Sequence, residues 1–509
     1  MISINGKDLS LEDLAGFLQD APPTVSIADE ARVAIQRARS TVEEILRTDR
    51  VVYGINTGFG KLANTRIATE NLEALQRNLI LSHSIGVGPP LDDAVARLCL
   101  LLRANALCRG HSGVRPEVVE TLIGLLNADA LPVIPSQGSV GASGDLAPLS
   151  HMALLLIGEG EATCKGRPLT GREALGIAGL KPLVLQAKEG LALINGTQVS
   201  CAIGAAALIR ARRLANLADL ACSMSLEALK GSLRPFDARV AALRPHPGHA
   251  ETAEHMRRLM QDSEIVIAHQ DCDKVQDPYS LRCVPQVHGA ARDALRHTED
   301  VVRREINAVT DNPLIFPDDC DVISAGNFHA EPLAIPFDYA AMAVAELASI
   351  SERRLENMVN PDLSELPAFL VENSGLNSGF MIAQVTAAAL VSENKCLCHP
   401  ASVDSIPTSA NKEDHVSMAP IAARQFAAVV ENSYNVIAIE FLGALQGLRL
   451  GNPEGLKAGR GPQAAFELLS QTVAPLKSDR ILKHDLLAVR KLMEDGSLMR
   501  VVKAALDRN

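Results

Sequence analysis

Residues 200–233, SCAIGAAALIRARRLANLADLACSMSLEALKGSL, decide the fold class of this chain. Their apolar side chains recur at three- and four-residue spacing for many turns, which places them along one face of an α-helix. Residues 335–358 and 415–448 show the same periodicity. The sequence therefore predicts a mainly α fold built on a long central helical bundle.

Composition favours the same architecture. Hydrophobic residues make up 47% of the 509 positions, whereas aromatic residues make up 3% and Trp is absent. A core of small aliphatic side chains lets helices pack closely. Strand signals are few, with short candidates at residues 2–4 and 51–53, and the capping-box pair Ser10 and Asp13 predicts an early short helix.

This pattern predicts three regions. Residues 1–200 form a peripheral N-terminal layer, residues 201–455 form the long-helix core, and residues 456–509 form a C-terminal helical region. The junction between the layer and the core is where we expect a pocket.

The distribution of charge and hydropathy indicates what kind of partner the protein binds. The formal net charge is −11 with no long basic block, which argues against nucleic acid or an anionic membrane as partner. The first residues lack the apolar core of a signal peptide, and no run of about 18 apolar residues occurs. We therefore expect a soluble, cytoplasmic protein that acts on a small molecule.

Cysteine and histidine usage predicts neither disulfides nor a metal. The ten cysteines are too sparse for a disulfide framework, so reduced thiols are expected. Two short clusters, residues 396–399 and 246–249, offer Cys or His side chains, but neither has a second ligand pair at zinc-like spacing.

The glycine-rich stretch GSVGASGD, residues 138–145, can carry unusual chemistry. If the Gly144 nitrogen attacks the Ala142 carbonyl carbon and two waters are lost, one of them from Ser143, an electrophilic methylidene-imidazolone ring results. Glycine has no Cβ to obstruct the attack. The alternative is an ordinary turn in which Asp145 caps the next helix.

The wider stretch GSVGASGDLAPLSH, residues 138–151, resembles almost letter for letter the signature of the aromatic amino acid ammonia-lyase and aminomutase family. Members of that family form the methylidene-imidazolone autocatalytically. The resemblance implies that Ala142, Ser143 and Gly144 provide the cofactor and that no external cofactor is needed.

A second motif, YGINTGFGK at residues 53–61, looks at first like a phosphate-binding loop. The phosphate interpretation fails on spacing, because Ile55 and Leu62 occupy places that need Gly and Ser or Thr. Three glycines predict a mobile or sharply folded loop that carries Tyr53. By its resemblance to the family's loop, Tyr53 removes the β-proton of the substrate.

A third motif, DKVQDPYSLRC at residues 273–283, has the geometry of a helix start capped by Asp277. Tyr279 and Arg282 are then three apart on one face, where a carboxylate could dock. The alternative is an Asp-capped helix with Arg282 in a surface salt bridge. The resemblance implies that Arg282 holds the substrate carboxylate and that Gln276 forms a hydrogen bond near the electrophile. It also implies that Tyr279 assists proton transfer or polarises the ring.

Two further segments match the family. Asn195-Gly196 could form a hairpin turn by itself, whereas the resemblance places Asn195 beside the electrophile. The segment GNFHAEP, residues 326–332, implies that Phe328 is an aromatic wall of the site. His329 could equally be a core histidine, and no catalytic role is assigned to it.

Substrate choice depends on His83 and Glu413. His83 and the segment SANKEDHVSM, residues 409–418, resemble the histidine-using branch of the family. A carboxylate at 413 can accept a hydrogen bond from an imidazole N–H, which a phenyl ring lacks. Without that resemblance, Glu413 would be interpreted as a solvated acid at a helix start and His83 as a loop histidine. Ser150 and Lys412 depart mildly from the family pattern, where Ala and Gln are usual.

The resemblance implies elimination of ammonia from L-histidine to give trans-urocanate. It also implies a homotetramer with shared active sites, in which Tyr53, Tyr279 and the Ala-Ser-Gly triplet come from different subunits. The alternatives are a phenylalanine or tyrosine ammonia-lyase or 2,3-aminomutase, or a catalytically silent helical scaffold.

Overall fold

The computed structural model describes residues 1–48, 50–270 and 274–507. Over these residues the chain forms 21 α-helices, which confirms the predicted mainly α class. The helices are α1 (Leu11–Gly16), α2 (Asp29–Leu46), α3 (Leu72–His83), α4 (Asp93–Cys108), α5 (Pro116–Asn127), α6 (Ala147–Leu156), α7 (Gly171–Ile177), α8 (Glu189–Ile194), α9 (Gln198–Ala228), α10 (Ala238–Leu243), α11 (Pro247–Leu259), α12 (Glu264–Ala268), α13 (Tyr279–Arg282), α14 (Val284–Glu305), α15 (Glu331–Val359), α16 (Pro361–Ser364), α17 (Met381–Leu397), α18 (Ala419–Gly451), α19 (Arg460–Thr472), α20 (Leu482–Glu494) and α21 (Ser497–Leu506).

Short strands form four small sheets between the helices. The strands are β1 (Ile2–Ile4), β2 (Val25–Ile27), β3 (Val87–Pro90), β4 (Leu131–Pro132), β5 (Pro135–Gln137), β6 (Glu161–Cys164), β7 (Arg167–Thr170), β8 (Leu314–Phe316) and β9 (Asp321–Ile323). β1 and β2 pair in parallel, while β3 with β5, β4 with β6, β6 with β7, and β8 with β9 are antiparallel. The strand predicted at residues 2–4 is thus confirmed.

The three predicted long helices are present with shifted ends. α9 stops at Ala228 because Lys230 adopts a left-handed conformation (φ 51°) and the Gly231 N–H donates to the Leu226 carbonyl at 2.8 Å, which closes the helix. α18 begins at Ala419 because Met418 has a φ of 56°. Periodicity identified these helices, and local backbone chemistry set their ends.

The N-terminal predictions have mixed outcomes. Ser10 and Asp13 form the predicted capping box of α1. The strand predicted at residues 51–53 is wrong, because the Asn56 side chain accepts from the Val52 N–H at 2.8 Å and closes a turn there. Val52 still packs into a buried cluster with Val42 and Ile315.

The chain divides into two compact units that are discontinuous in sequence. The first comprises Met1–Ile209, Thr298–Asp338 and Pro400–Arg424, and the second comprises Arg210–His297, Tyr339–His399 and Gln425–Asn509. The division into three consecutive regions at residues 200 and 455 stays a prediction. The segments that carry Tyr53, the Ala-Ser-Gly triplet and Glu413 all belong to the first unit.

Two global features bear on the class of protein. Within the described ranges, α15 is the one helix long and apolar enough to cross a membrane, and 61% of its most apolar window is buried in the fold, as in a core helix. The nine cysteines in those ranges are free thiols, while Cys272 lies outside the described residues.

Candidate active site

The Ala-Ser-Gly triplet lies in a tight turn that only glycine can complete. Gly144 has a φ of 76°, and a Cβ added there would stand 2.3 Å from the Gly196 nitrogen. Ala142 is buried beside it. Leu146, the residue before α6, adopts φ 43° and ψ −90°, a strained conformation for a side chain of its size. Backbone constraint therefore acts at the last residue of the triplet and just after it.

Asp145 anchors this turn to the start of α9. Its buried carboxylate accepts from the Val199 N–H at 2.6 Å and the Ser200 N–H at 3.0 Å, and the Asp145 N–H donates to the Gly196 carbonyl at 2.7 Å. Burial raises the pKa of Asp145 to about 6. The alternative in which Asp145 caps the helix directly after it is wrong, because its carboxylate caps α9 instead.

Asn195 connects the same turn to the end of α8. Its Nδ2 donates to the Ser143 carbonyl at 2.7 Å, and the Arg103 guanidinium holds the Asn195 carbonyl at 3.1 Å. The Asn195 Oδ1 atom is buried and has no hydrogen-bond partner among the described residues. Asn195 and Gly196 join α8 to α9, so the alternative of a hairpin turn is wrong.

A cavity of about 620 Å³ opens onto the triplet. It brings together five side chains singled out from the sequence, namely Tyr53, His83, Ser143, Asn195 and Glu413. Apolar side chains that include Leu79 and Leu191 form its walls. Tyr53 and Ser143 line one cavity of one chain, so the expectation that they come from different subunits is wrong.

Glu413 is held by three hydroxyl groups. The Ser143 Oγ donates to the Glu413 Oε1 at 2.5 Å, while Thr408 Oγ1 and Ser409 Oγ donate to Oε2 at 2.5 and 2.9 Å. Backbone hydrogen bonds between Thr408 and Glu413 close the loop, and Ser409, Ala410 and Asn411 all have positive φ. Such strain is typical of functional sites.

Sequence reasoning missed Thr408 and Ser409. Their hydroxyls lie five and four residues before the carboxylate that they bind, and a loop of that spacing is common between helices. The signal available was a polar run, TSAN, ahead of a predicted binding acid. Only the folded loop shows that both hydroxyls reach one carboxylate oxygen.

Burial perturbs the two ring side chains of the cavity. It raises the pKa of the Tyr53 phenol; the Gly60 N–H, which donates to Tyr53 OH at 3.5 Å, lowers that pKa, and nearby Glu413 raises it. Burial lowers the pKa of His83, whereas the Leu79 backbone and Glu413 raise it. In the free protein at neutral pH, Tyr53 is therefore a phenol and His83 is a neutral imidazole.

The predicted carboxylate-binding segment lies in the second unit. Arg282 stacks over the Tyr279 ring at 4.4 Å, which confirms that the two side chains share a face. Tyr279 is 69% exposed and Gln276 is also exposed. Asp277 is not the N-cap of α13, because its carboxylate accepts from the Ser232 N–H at 2.7 Å. Asp273, at the start of the motif, lies outside the described residues.

Phe328 and His329 lie in the first unit, on the segment before α15. Both are half-buried, and neither is among the residues that line the cavity. His329 is not a core histidine, because its ring stacks on that of His415, which is exposed.

The residues around the triplet fit a ring formed from it. Position 144 has no room for a Cβ, the Ser143 carbonyl already receives a hydrogen bond from Asn195, and the Ser143 hydroxyl contacts a carboxylate. These three features suit cyclisation through the Gly144 nitrogen and loss of the Ser143 hydroxyl.

Comparisons with known proteins find one family over nearly the whole chain. The profile described as aromatic amino acid lyase matches residues 9–471. A histidine ammonia-lyase of Deinococcus radiodurans is 55% identical over 98% of this chain and 95% of the relative, and one of Stigmatella aurantiaca is 52% identical over 99% and 98%.

Solved structures have the same fold. The crystal structure of histidine ammonia-lyase from Trypanosoma cruzi is 45% identical, with a TM-score of 0.91 over 99% of this chain and 95% of that one. Tyrosine aminomutase from Streptomyces globisporus is 36% identical, with a TM-score of 0.92 over 100% and 99%. The fold and the site thus define a helical, carbon–nitrogen-cleaving class of lyase. The chain belongs to the aromatic amino acid lyase family.

Proposed function

We propose that the protein deaminates L-histidine to trans-urocanate and ammonia, with a methylidene-imidazolone formed from Ala142, Ser143 and Gly144. The observation that carries the proposal is the contact between the Ser143 hydroxyl and the Glu413 carboxylate within one cavity. This contact places Ser143, from which the electrophile would form, next to a carboxylate that can accept a hydrogen bond from an imidazole N–H. The similarity to histidine ammonia-lyases over nearly the full length supports the same substrate.

Ring formation uses groups already in place. The Gly144 nitrogen attacks the Ala142 carbonyl carbon, and two waters leave, one from the ring and one from Ser143. Once formed, the ring would supply an electrophile for the substrate amine and so turn that amine into a better leaving group. The Asn195 amide donates to the Ser143 carbonyl, and this hydrogen bond withdraws electron density from the triplet.

Glu413 and His83 orient the imidazole of the substrate. The Glu413 carboxylate accepts the imidazole N–H, and hydrogen bonds from Thr408 and Ser409 fix its position. His83 faces the same cavity as a neutral ring that can donate or accept one hydrogen bond. A phenyl ring would leave these polar groups unpaired, which costs affinity.

Tyr53 removes the β-proton. Because burial and Glu413 raise its pKa, the phenol is protonated in the free protein. We therefore expect kcat/KM for L-histidine to rise as the pH increases above neutral.

The carboxylate-binding groups come from a neighbouring subunit in a homotetramer. Arg282, Tyr279 and Gln276 form an accessible group in the second unit. Phe328, in the first unit, supplies an aromatic wall of the assembled site. The assembly is supported by apolar side chains exposed on α15 and α17 of that unit: Tyr339, Met342, Met381, Ile382 and Val385. Covering such a surface is favourable. The tetramer is cytoplasmic.

The test is an ultraviolet assay of the purified protein with L-histidine, L-phenylalanine and L-tyrosine in parallel, combined with intact mass. We expect urocanate from L-histidine alone and a mass two waters below that of the unmodified chain. Ser143→Ala removes both signals.

Gly144→Ala and Gly166→Ala form a matched pair for ring formation. Both glycines have a φ of 76°, but a Cβ at 166 meets nothing within 4 Å. We expect Gly166→Ala to lose the two waters and Gly144→Ala to retain them. Cinnamate or coumarate as the main product contradicts the choice of substrate, and an unmodified wild-type mass contradicts the mechanism.

A further inference from the structure

Three potential ligands cluster in the first unit, apart from the residues lining the cavity. They are His329 before α15, Glu331 at its first position, and His415 before α18. One ligand atom from each lies within 4.8 Å of the other two. The two imidazole rings stack with centroids 5.6 Å apart and an interplanar angle of 30°.

Hydrogen bonds define the tautomer of His329. Its Nε2 lies 3.2 Å from the His415 carbonyl, which can only accept, and its Nδ1 lies 3.4 Å from the Glu331 N–H, which can only donate. The proton is therefore on Nε2. The lone pair on Nδ1 makes only the long 3.4 Å contact with the Glu331 N–H, which a bound ion would replace. Histidine ligands typically donate their second ring N–H to a carbonyl in this way.

Glu331 provides an independent observation. Its Oε2 atom is buried and has no hydrogen-bond partner among the described residues. A buried carboxylate oxygen without a donor is costly. A cation between this oxygen and the two rings would satisfy it.

We propose that His329, Glu331 and His415 bind a divalent transition-metal ion of the Zn²⁺ type. Two imidazole nitrogens and one carboxylate are a common zinc donor set, which leaves a fourth position for water. Tetrahedral ligands about 2.0 Å from zinc are about 3.3 Å apart. Since the three ligand atoms lie within 4.8 Å of one another, binding of an ion requires the exposed His415 ring to turn toward the other two ligands.

The site has a structural consequence for the proposed active site. His329 follows Phe328 directly, and His415 lies two residues after Glu413. A bound ion would therefore cross-link the two segments that carry these side chains. The sequence alone did not indicate the site, because the two histidines are 86 residues apart.

The test measures metal binding directly, on the untagged full-length protein after removal of metal with a chelator. Co²⁺ is titrated and followed by its visible absorption, and Zn²⁺ is titrated by calorimetry. We expect one ion per chain, with the intense visible bands of a four-coordinate Co²⁺ site. Zn²⁺ should also raise the melting temperature, since it binds the folded state.

Variants locate the ion. His415→Ala and the near-isosteric Glu331→Gln should abolish the Co²⁺ bands and the Zn²⁺-dependent rise in melting temperature. His484→Ala, which removes an exposed histidine on α20, should retain both. The proposal is overturned if the wild type binds no ion. It is also overturned if binding survives in both site variants, or is lost when Cys396 and Cys398 are replaced by serine.

Discussion

At the scale of single residues, the candidate site depends on hydroxyl groups that position a carboxylate. Thr408 and Ser409 both donate to the Glu413 Oε2, which leaves Oε1 directed at Ser143. Three successive residues with positive φ hold this loop. The backbone strain is offset by hydrogen bonds that fix one acid in one orientation.

We predict that Thr408→Val lowers kcat/KM for L-histidine. A hydrogen bond to a charged group contributes about 1.5–3 kcal/mol, which corresponds to a fall of roughly ten- to a hundredfold. Steady-state assays at several pH values test this, together with intact mass to confirm ring formation.

The controls for this prediction separate positioning from stability. Thr408→Ser keeps the hydroxyl and should stay near wild type, as should Thr472→Val on the exposed face of α19. An equal loss in the serine and valine variants would show that the hydroxyl does not position Glu413.

At the scale of elements, buried carboxylates tie helix ends together. Asp145 caps α9 from a distant turn. In the second unit Glu227, near the end of α9, accepts from Ser263 Oγ at 3.0 Å and from the Gly459 N–H at 2.7 Å. Ser263 in turn caps α12. One carboxylate thus connects α9, the start of α12 and the segment before α19.

We predict that Glu227 makes stability depend on pH near neutrality. Burial raises its pKa from an ordinary 4.5 to about 7, so its contribution is fully present below 4.5 and is lost as the pH rises through 7. Relative to Glu227→Gln, the free energy of unfolding of the wild type should fall by up to about 3 kcal/mol between pH 5 and pH 8.

Denaturant titrations at both pH values measure this difference. Glu467→Gln, at an exposed position on α19, is the matched control and should follow the wild type. A difference between wild type and Glu227→Gln that is constant or increases with pH would contradict the assignment.

At the scale of the whole molecule, Tyr53, Glu413 and Ser143 of the triplet line one cavity, whereas the second unit carries Arg282 and Tyr279. The exposure of Tyr279 and of apolar side chains on α17 fits surfaces that meet another subunit. The catalytic unit that we propose is therefore the assembly.

We predict that two inactive variants restore activity together. In hybrids of Tyr53→Phe and Tyr279→Phe chains, a site that takes Tyr53 from one subunit and Tyr279 from another is intact in roughly a quarter of cases. Co-expression with two affinity tags isolates these hybrids, and the urocanate assay measures recovery.

The control pair is Tyr53→Phe with Ser143→Ala. Both residues line the same cavity of one chain, so this hybrid should stay inactive. Activity in a verified monomer, or no recovery in the first hybrid, would rule out shared sites.

Much of this protein follows from the sequence by itself. Helical periodicity is a local property, so the long helices α9, α15 and α18 were predicted within a few residues of their ends. The triplet, Tyr53 and Glu413 were found because each lies within a compact motif.

Only the tertiary structure decided which of these segments meet. In the folded chain the Asp145 carboxylate accepts hydrogen bonds from the start of α9, and the hydroxyls of Thr408 and Ser409 donate to one oxygen of Glu413. The fold also stacks the ring of His329 on that of His415. The physical reason is that such contacts join groups through space or through a specific loop conformation. Neither spacing nor composition encodes them until the helices have packed.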